Sequence, residues 1–325
     1  MVAMKKIILL TMVLAATLSL LAQDGLYEKL LPSIEQTPYA TEVFVTRDSA
    51  LYLDIYLPET QNEQHACLLY VHSGGFIGGE RTESISHIGP YLLKEGFVII
   101  SIDYRLGLKR KKDLGVISGM RNFQQAIDMA AEDLLSATSY ILQNKLTVGH
   151  CTINPNYIIT CGSSAGAITV LQADYYLHNE APFDIQLPDT FRYAGVLSFA
   201  GGIFSNHGKI KYQKGKPAPT LLCHGMDDHL VPYGKIQFFN LGMFGSDALA
   251  KQFEKYDYPY HIKRYKDLGH EAAGRHVYEA DIIMDFIQEF VFEQRFLHID
   301  ETYYSPNIQH WPFGSYKVKD LKKFN

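Results

Sequence analysis

Residues 162–166 (Gly-Ser-Ser-Ala-Gly) have the pattern of a nucleophile turn, in which one small residue separates the central serine from a glycine on each side. The apolar run 157–160 precedes this segment and a helix-forming stretch follows it, so the pattern predicts a sharp turn between a strand and a helix. Such a turn holds the Ser164 hydroxyl above the edge of the sheet. It also directs the amide of Ala165 toward an oxygen that becomes negative during acyl transfer. The sequence therefore predicts Ser164, and not the flanking Ser163, as a nucleophile.

A base and an acid are predicted downstream, because a serine hydroxyl near neutral pH needs a histidine that a carboxylate orients. Asp227 and Asp228 follow the apolar run 220–223, and His270 follows the weaker strand pattern 261–265. The carboxyl ends of parallel strands meet at one edge of a sheet, so we expect these loops to converge on Ser164. The order serine, acid, histidine fits a strand–turn–helix nucleophile, and it leaves Asp227 and Asp228 as alternatives for the acid.

Residues 72–76 (His-Ser-Gly-Gly-Phe) follow the apolar run 66–71 and place two glycines side by side. A backbone without side chains can approach a substrate closely and turn its N–H groups toward it. This loop therefore predicts the second half of an oxyanion hole, whose first half is the amide of Ala165.

Predicted strands and predicted helices alternate around these motifs. Segments 41–47 and 51–57 predict an antiparallel pair, and apolar residues recur at helical spacing over 127–141 and 282–290. The runs that predict buried parallel strands are 66–71, 97–102, 157–160, 194–199, 220–223 and, more weakly, 261–265. This order predicts a doubly wound, mostly parallel α/β sheet of about eight strands with an antiparallel amino-terminal edge.

Two stretches lack a clear period. Residues 107–123 include four consecutive basic residues at 109–112 and predict a solvated loop. Residues 234–245 contain Phe238, Phe239, Met243 and Phe244, and predict either a core-packed helix or, as the preferred hypothesis, a lid over a pocket.

Composition excludes several classes of protein but indicates no chemistry. The 325 residues are 47% hydrophobic and 20% charged with a net charge of −5, which is typical of a globular protein and not of a disordered, collagen-like or coiled-coil chain. We expect no nucleic-acid partner, because that would need a basic patch. Four scattered cysteines exclude a disulfide scaffold and a zinc module. They predict buried thiols, with a bridge between Cys161 and Cys223 left open.

The two ends differ from the middle of the chain. Lys5 and Lys6 precede an apolar run that ends before Gln23, which predicts a cleavable signal peptide over residues 1–22. The run is shorter than the roughly 18–20 apolar residues of a spanning helix, so we expect a secreted or periplasmic protein without stable membrane insertion. Residues 23–300 are predicted to form a single domain and residues 301–325 a carboxyl-terminal tail. The sequence indicates no oligomeric state.

Taken together, the motifs resemble those of α/β-hydrolase carboxylesterases with an oxyanion loop of the His-Gly-Gly-Gly type, similar to hormone-sensitive-lipase-like and bacterial feruloyl and acetyl-xylan esterases. The matching segments are 53–58 (LDIYLP), 72–76 (HSGGF), 101–106 (SIDYRL), 162–166 (GSSAG), 228–232 (DHLVP) and 269–270 (GH). The resemblance implies the α/β-hydrolase fold, Asp228 as the acid, and oxyanion amides at Gly74, Gly75 and Ala165. It implies no cofactor and no metal. The sequence departs from the group at Ser73, where glycine is usual, and at Ala167, where a second glycine is frequent.

The implied activity is that of a serine carboxylesterase in which Ser164 attacks the ester and His270, oriented by Asp228, transfers the proton. We expect a small-molecule or carbohydrate ester as substrate, with acetyl or feruloyl esters of plant polysaccharides as the specific hypothesis. One alternative is a serine peptidase of the prolyl-oligopeptidase type, which usually carries a long amino-terminal propeller that this sequence does not show. The other is a non-catalytic binding protein with the hydrolase fold, which the presence of all three residues disfavours.

Overall fold

A computed structural model describes residues 33–60, 62–82, 84–109 and 116–304. The signal peptide predicted at residues 1–22 and residues 305–325 of the predicted tail lie outside the described residues. Within those residues, no helix is long and apolar enough to cross a membrane.

The strands of the described residues are, in chain order, β1 (Ala40–Thr46), β2 (Ala50–Tyr56), β3 (His65–Val71), β4 (Val98–Ile102), β5 (Thr147–Val148), β6 (Cys151–Ser163), β7 (Gly195–Phe199), β8 (Gly202–Ser205), β9 (Thr220–Gly225), β10 (Lys235–Phe238), β11 (Leu241–Gly245), β12 (Tyr260–Tyr265) and β13 (His298–Tyr303). The α-helices are α1 (Ile85–Lys94), α2 (Val116–Asn144), α3 (Ala165–Leu177), α4 (Ser246–Tyr256) and α5 (Ala280–Phe286). A 3₁₀-helix spans His270–Val277, and a π-helical segment, Ile287–Phe292, continues α5.

The large sheet has the strand order β1-β2-β4-β3-β6-β7-β9-β12-β13, and the short β5 pairs with the beginning of β6. β1 and β2 are antiparallel, β2 pairs antiparallel with β4, and every pair from β4 to β13 is parallel. This confirms the predicted mostly parallel sheet with an antiparallel amino-terminal edge.

Helices cover both faces of this sheet, as its apolar strands require. On one face, α2, α3 and α4 pack in the same core cluster, and the predicted helical residues Ile127, Leu134 and Ile141 are fully buried there. On the other face, α1, α5 and the 3₁₀-helix pack in a second cluster. The strands β4 and β7 are buried along their whole lengths, which explains why their sequences are continuously apolar.

β13 is one of the strands that the sequence did not predict, because its polar residues show no alternation. It pairs with β12 at the edge of the sheet, and charged side chains cross between the two strands. Arg264 Nε donates to Asp300 Oδ1 at 2.6 Å, and His261 Nε2 lies 3.1 Å from Glu301 Oε1. The strand extends to Tyr303, three residues into the stretch 301–325 that we predicted as a carboxyl-terminal tail.

The stretch 107–123 was predicted to be a solvated loop, and for residues 116–123 this is wrong. Helix α2 begins at Val116, and Phe123 in its second turn packs edge-on against Phe76 and Phe204, with ring centroids 5.9 and 6.2 Å away. These contacts come from distant parts of the chain, so the local sequence gives no sign of them. Residues 110–115 lie outside the described residues.

Residues 234–245 form a hairpin, so the helix that we predicted as one alternative is wrong. Its strands β10 and β11 pair antiparallel, and β8 joins them in a separate three-stranded sheet. The Gln237 amide donates to the Phe239 and Gly208 carbonyl oxygens and ties the hairpin tip to the neighbouring loop. Strand alternation places Ile236 and Phe238 on one face, and both side chains are exposed.

Candidate active site

Ser164 lies in the sharp turn between β6 and α3, as its flanking glycines predict. Its backbone has φ 52° and ψ −114°, a conformation that is unfavourable for a residue with a side chain. Two backbone hydrogen bonds hold it there: the Ser164 amide donates to the Phe199 carbonyl at 2.9 Å, and its carbonyl accepts from the Ile168 amide at 3.0 Å. The strained turn fixes the direction of the Ser164 side chain before any substrate binds.

The two glycines of the turn are needed because backbone segments pass very close to them. A Cβ on Gly166 would lie 2.1 Å from the Val71 carbonyl oxygen at the end of β3. A Cβ on Gly162 would lie 2.3 Å from the carbonyl group of Gly166 itself. The GSSAG pattern thus reflects the packing of the turn against the central strand, and this packing positions Ser164.

A continuous chain of hydrogen bonds joins Ser164, His270 and Asp228. Ser164 Oγ lies 2.8 Å from His270 Nε2, and His270 Nδ1 lies 2.7 Å from Asp228 Oδ2. The His270 side chain is 14% exposed, whereas the Asp228 side chain is fully buried. Ser163 takes no part in this chain, because its hydroxyl donates to the Ala273 carbonyl at 2.6 Å.

Of the two candidate acids, the structure brings Asp228 and not Asp227 to His270. Asp227 is exposed, whereas Asp228 Oδ1 accepts the amides of Leu230 at 2.8 Å and Val231 at 3.0 Å. Burial by itself would raise the pKa of Asp228. Hydrogen bonds from His224 and His270 outweigh burial and hold that pKa well below its usual value, so Asp228 is a carboxylate at neutral pH.

The acid loop and the histidine loop are in direct backbone contact. The Asp227 amide donates to the Leu268 carbonyl at 2.9 Å, and the Met226 amide donates to the Tyr265 carbonyl at 3.0 Å. A Cβ on Gly225 would lie 2.2 Å from the Gly269 carbonyl oxygen. Because β9 and β12 are parallel neighbours, their loops leave the sheet side by side and carry Asp228 to His270.

The glycine loop follows β3, which lies on the other side of β6 from β9 and β12 in the sheet. Gly74 and Gly75 are exposed and have φ of 115° and 64°, and the Gly74 carbonyl accepts the amides of Ile77 and Gly78 at 3.0 Å each. A Cβ on Gly74 would lie 2.0 Å from the Gly78 carbonyl oxygen, so this tight turn requires glycine there. Ala165 is the first residue of α3, so its amide has no partner within the helix.

Two side chains that support the site were not predicted from the sequence. The Tyr104 hydroxyl donates to the carbonyls of His72 at 3.1 Å and Ser73 at 3.0 Å, and its ring stacks on His72 with centroids 4.3 Å apart. Tyr104 thereby fixes the start of the glycine loop. His224 lies 3.2 Å from Asp228 and is the second of these residues. The sequence signal available for His224 was its position at the end of an apolar strand, four residues before the acid.

Comparisons with known proteins find similarity to esterases. The family model described as BD-FAE matches residues 53–201, slightly less than half of the chain. Juvenile hormone esterase of Tribolium castaneum is 26% identical over 125 residues, which are 38% of this chain and 19% of that protein. The chain thus spans about a fifth of the length of this relative.

Solved structures with the same architecture include an esterase from Thermogutta terrifontis. In its propionate-bound form, Est2 has a TM-score of 0.58 and 16% identity, over 82% of this chain and 98% of that chain. The esterase 2 structure phosphonylated by sarin has a TM-score of 0.56 and 17% identity, over 80% of this chain and 97% of that chain. These similarities confirm the α/β-hydrolase fold and the resemblance to carboxylesterases that was noted from the sequence.

Proposed function

We propose that the protein is a serine carboxylesterase with Ser164 as the nucleophile, His270 as the general base and acid, and Asp228 as the acid that orients His270. The observation that supports this most directly is the hydrogen-bonded chain from Ser164 Oγ to His270 Nε2 at 2.8 Å and from His270 Nδ1 to Asp228 at 2.7 Å. A serine within hydrogen-bond reach of a histidine that a carboxylate orients is the arrangement that nucleophilic acyl transfer requires.

In the proposed first step, Ser164 Oγ attacks the ester carbonyl carbon while His270 Nε2 takes the hydroxyl proton. The buried carboxylate of Asp228 stabilises the imidazolium that forms and holds Nε2 toward Ser164. The negative oxygen of the tetrahedral intermediate would accept hydrogen bonds from the amides of Gly74, Gly75 and Ala165. Loss of one such donor typically costs about 2.7–4 kcal/mol in the transition state.

The tetrahedral intermediate then collapses. His270 gives its proton to the leaving alcohol, and an acyl-enzyme remains on Ser164. Water then takes the place of the alcohol and attacks the acyl carbon while His270 accepts one of its protons. The bond between the acyl carbon and Ser164 Oγ breaks, His270 returns the proton to Oγ, and the acid is released. The His270 side chain is 14% exposed, so part of it is in contact with solvent. On the protein side, these steps use the side chains of Ser164, His270 and Asp228 and the oxyanion amides.

For the substrate we propose a small-molecule or carbohydrate ester, specifically an acetyl or feruloyl ester of a plant polysaccharide. The support is the resemblance of the motifs to feruloyl and acetyl-xylan esterases, together with the signal peptide that the sequence predicts at residues 1–22. Export would place the enzyme outside the cytoplasm, where such polymers are found. Equal rates on acetylated xylan, methyl ferulate and long-chain esters, or a preference for long acyl chains, would contradict this specificity.

The test of the activity is hydrolysis of 4-nitrophenyl acetate by the wild type and by Ser164→Ala. We expect at least a roughly 10³-fold loss of kcat/KM in the variant, because the nucleophile is absent while the fold is kept. Circular dichroism of both proteins is the control for folding. Undiminished turnover by a folded Ser164→Ala would refute the assignment. A higher rate on a matched anilide than on the ester would favour the serine peptidase alternative.

A further inference from the structure

A second histidine contacts Asp228 and has no role in the proposed reaction. His224 belongs to β9, stands four residues before Asp228, and is fully buried. Its Nε2 lies 3.2 Å from Asp228 Oδ2 and 3.2 Å from the Val231 carbonyl oxygen, while its Nδ1 lies 2.8 Å from Ser246 Oγ. The ring is therefore held at both nitrogens by protein atoms.

The partners of the His224 ring determine which nitrogen carries the proton. Both atoms beside Nε2 are acceptors, namely an ionised carboxylate oxygen and a carbonyl oxygen, so this hydrogen-bond network assigns the proton to Nε2. In a neutral ring Nδ1 is then an acceptor, and it takes the hydroxyl proton of Ser246, the first residue of α4. His224 thus donates to Asp228 through its Nε2 proton.

Asp228 Oδ2 is consequently shared between two imidazole N–H groups. His270 is the nearer at 2.7 Å and His224 the more distant at 3.2 Å. The other carboxylate oxygen, Oδ1, already accepts the amides of Leu230 and Val231. The Asp228 carboxylate thus accepts four hydrogen bonds and has roughly four acceptor positions, so its hydrogen-bonding capacity is filled. All four hydrogen bonds can form in only one orientation of the carboxylate.

We infer that His224 is a positioning residue that orients Asp228 and limits the charge with which Asp228 acts on His270. This inference rests on the proposed esterase function. A donor on Oδ2 withdraws negative charge from the oxygen that faces His270, so the protonated ring of His270 is stabilised less than it would be by an unshared carboxylate. Removal of the His224 donor should therefore change how strongly Asp228 stabilises protonated His270, which the pH dependence of activity can report.

Tyr233 connects His224 to charged side chains on neighbouring elements. The Tyr233 ring packs edge-on against His224 with centroids 5.7 Å apart, and its hydroxyl accepts a hydrogen bond from Arg264 on β12. Arg264 is paired with Asp247 on α4 and Asp300 on β13. Burial raises the pKa of Tyr233, and hydrogen bonding to Asp300 raises that of Arg264, so neither group titrates below pH 8.

Three further titratable groups are chain neighbours of Asp228 and His270. Asp227 and His229 flank Asp228 in the chain and are exposed, and Glu271 follows His270. All three remain unchanged in the variants proposed below, as do Tyr233 and Arg264. Their effects therefore cancel when the pH profiles of the variants are compared.

The test is the pH profile of kcat/KM for 4-nitrophenyl acetate in the wild type, His224→Leu and His224→Gln. Leucine fills the space but donates nothing to Asp228. We expect its acid limb to move to higher pH by roughly 0.3–1 unit, because protonated His270 gains stabilisation, with a loss of about 3–30-fold at the optimum. Glutamine retains an N–H donor, and we expect it to return the acid limb to within about 0.2 unit of the wild type.

Ser246→Ala is a milder variant that removes only the partner of His224 Nδ1, and it decides the question if His224→Leu does not fold. We expect a smaller shift in the same direction. An unmoved acid limb in His224→Leu and Ser246→Ala, whatever the loss of kcat or stability, would overturn the inference. A glutamine variant that behaves like the leucine variant would do the same. Failure of the proposed esterase function would be seen in the wild type itself, as the absence of Ser164-dependent hydrolysis.

Discussion

Replacing Gly166 by alanine should show how strictly the packing of the turn positions Ser164. The new Cβ would lie 2.1 Å from the Val71 carbonyl oxygen, whereas ordinary contacts begin at 3.4 Å, so backbone must move by about 1.3 Å on one side of the contact. Overpacking typically lowers the free energy of unfolding by about 1–3 kcal/mol. We expect a loss at the upper end of this range, because the new Cβ meets backbone atoms that cannot rotate away as a side chain can. A displacement of Ser164 Oγ by about 1 Å would also lower kcat/KM about 100-fold.

The matched control for this substitution is Gly274→Ala in the 3₁₀-helix that begins at His270. A Cβ at Gly274 meets no atom within 4 Å, and its φ is not positive, so we expect a change below about 0.5 kcal/mol. Urea denaturation gives the free energy of unfolding of both variants, and 4-nitrophenyl acetate gives their kcat/KM. If Gly166→Ala matched Gly274→Ala in both measurements, the argument that the turn is held by close backbone packing would be wrong.

Three further predictions concern acids and thiols. Asp228→Asn should lower kcat/KM about 10⁴-fold, while Asp227→Asn should leave it within about 2-fold of the wild type; comparable losses in the two variants would contradict the assignment of the acid. Burial raises the pKa of Asp174 to about 7, so the folded protein keeps this proton to higher pH than the unfolded chain does. The free energy of unfolding should then fall between about pH 4 and pH 7 by up to about 4 kcal/mol, and denaturation of Asp174→Asn across this range should show a flatter profile. The four cysteines are free and buried, so a thiol reagent should modify none of them in the native protein and all of them in denaturant; modification in the native state would count against their burial.

The positions of the site loops could be predicted because each motif follows an apolar strand. Parallel strands that are buried on both faces have continuously apolar sequences, and their carboxyl ends meet at one edge of the sheet. Ser164 and Asp228 follow such strands and His270 follows the weaker pattern 261–265, so their convergence could be predicted from the sequence. The preference for Asp228 over Asp227 came from the family resemblance, and the structure accounts for it by the burial of Asp228 and its hydrogen bonds.

The parts that could not be predicted depend on contacts between distant segments. β13 is held by ion pairs with β12 and has no apolar period, so its sequence does not indicate a strand. The first turns of α2 depend on the packing of Phe123 against Phe76 and Phe204. The role of His224 could not be predicted, because its position in a strand predicts only burial. Its contact with Asp228 depends on the turn that brings Asp228 back to the end of that strand.

The most direct test of the proposed serine hydrolase is covalent labelling with a fluorophosphonate, followed by mass spectrometry of the peptides. A serine activated by His270 attacks phosphorus and expels fluoride, and the adduct is stable because it resembles the tetrahedral intermediate. We predict one adduct per chain on Ser164, and none in Ser164→Ala or after denaturation. A native protein that remained unlabelled, or was labelled at Ser163 instead, would contradict the account.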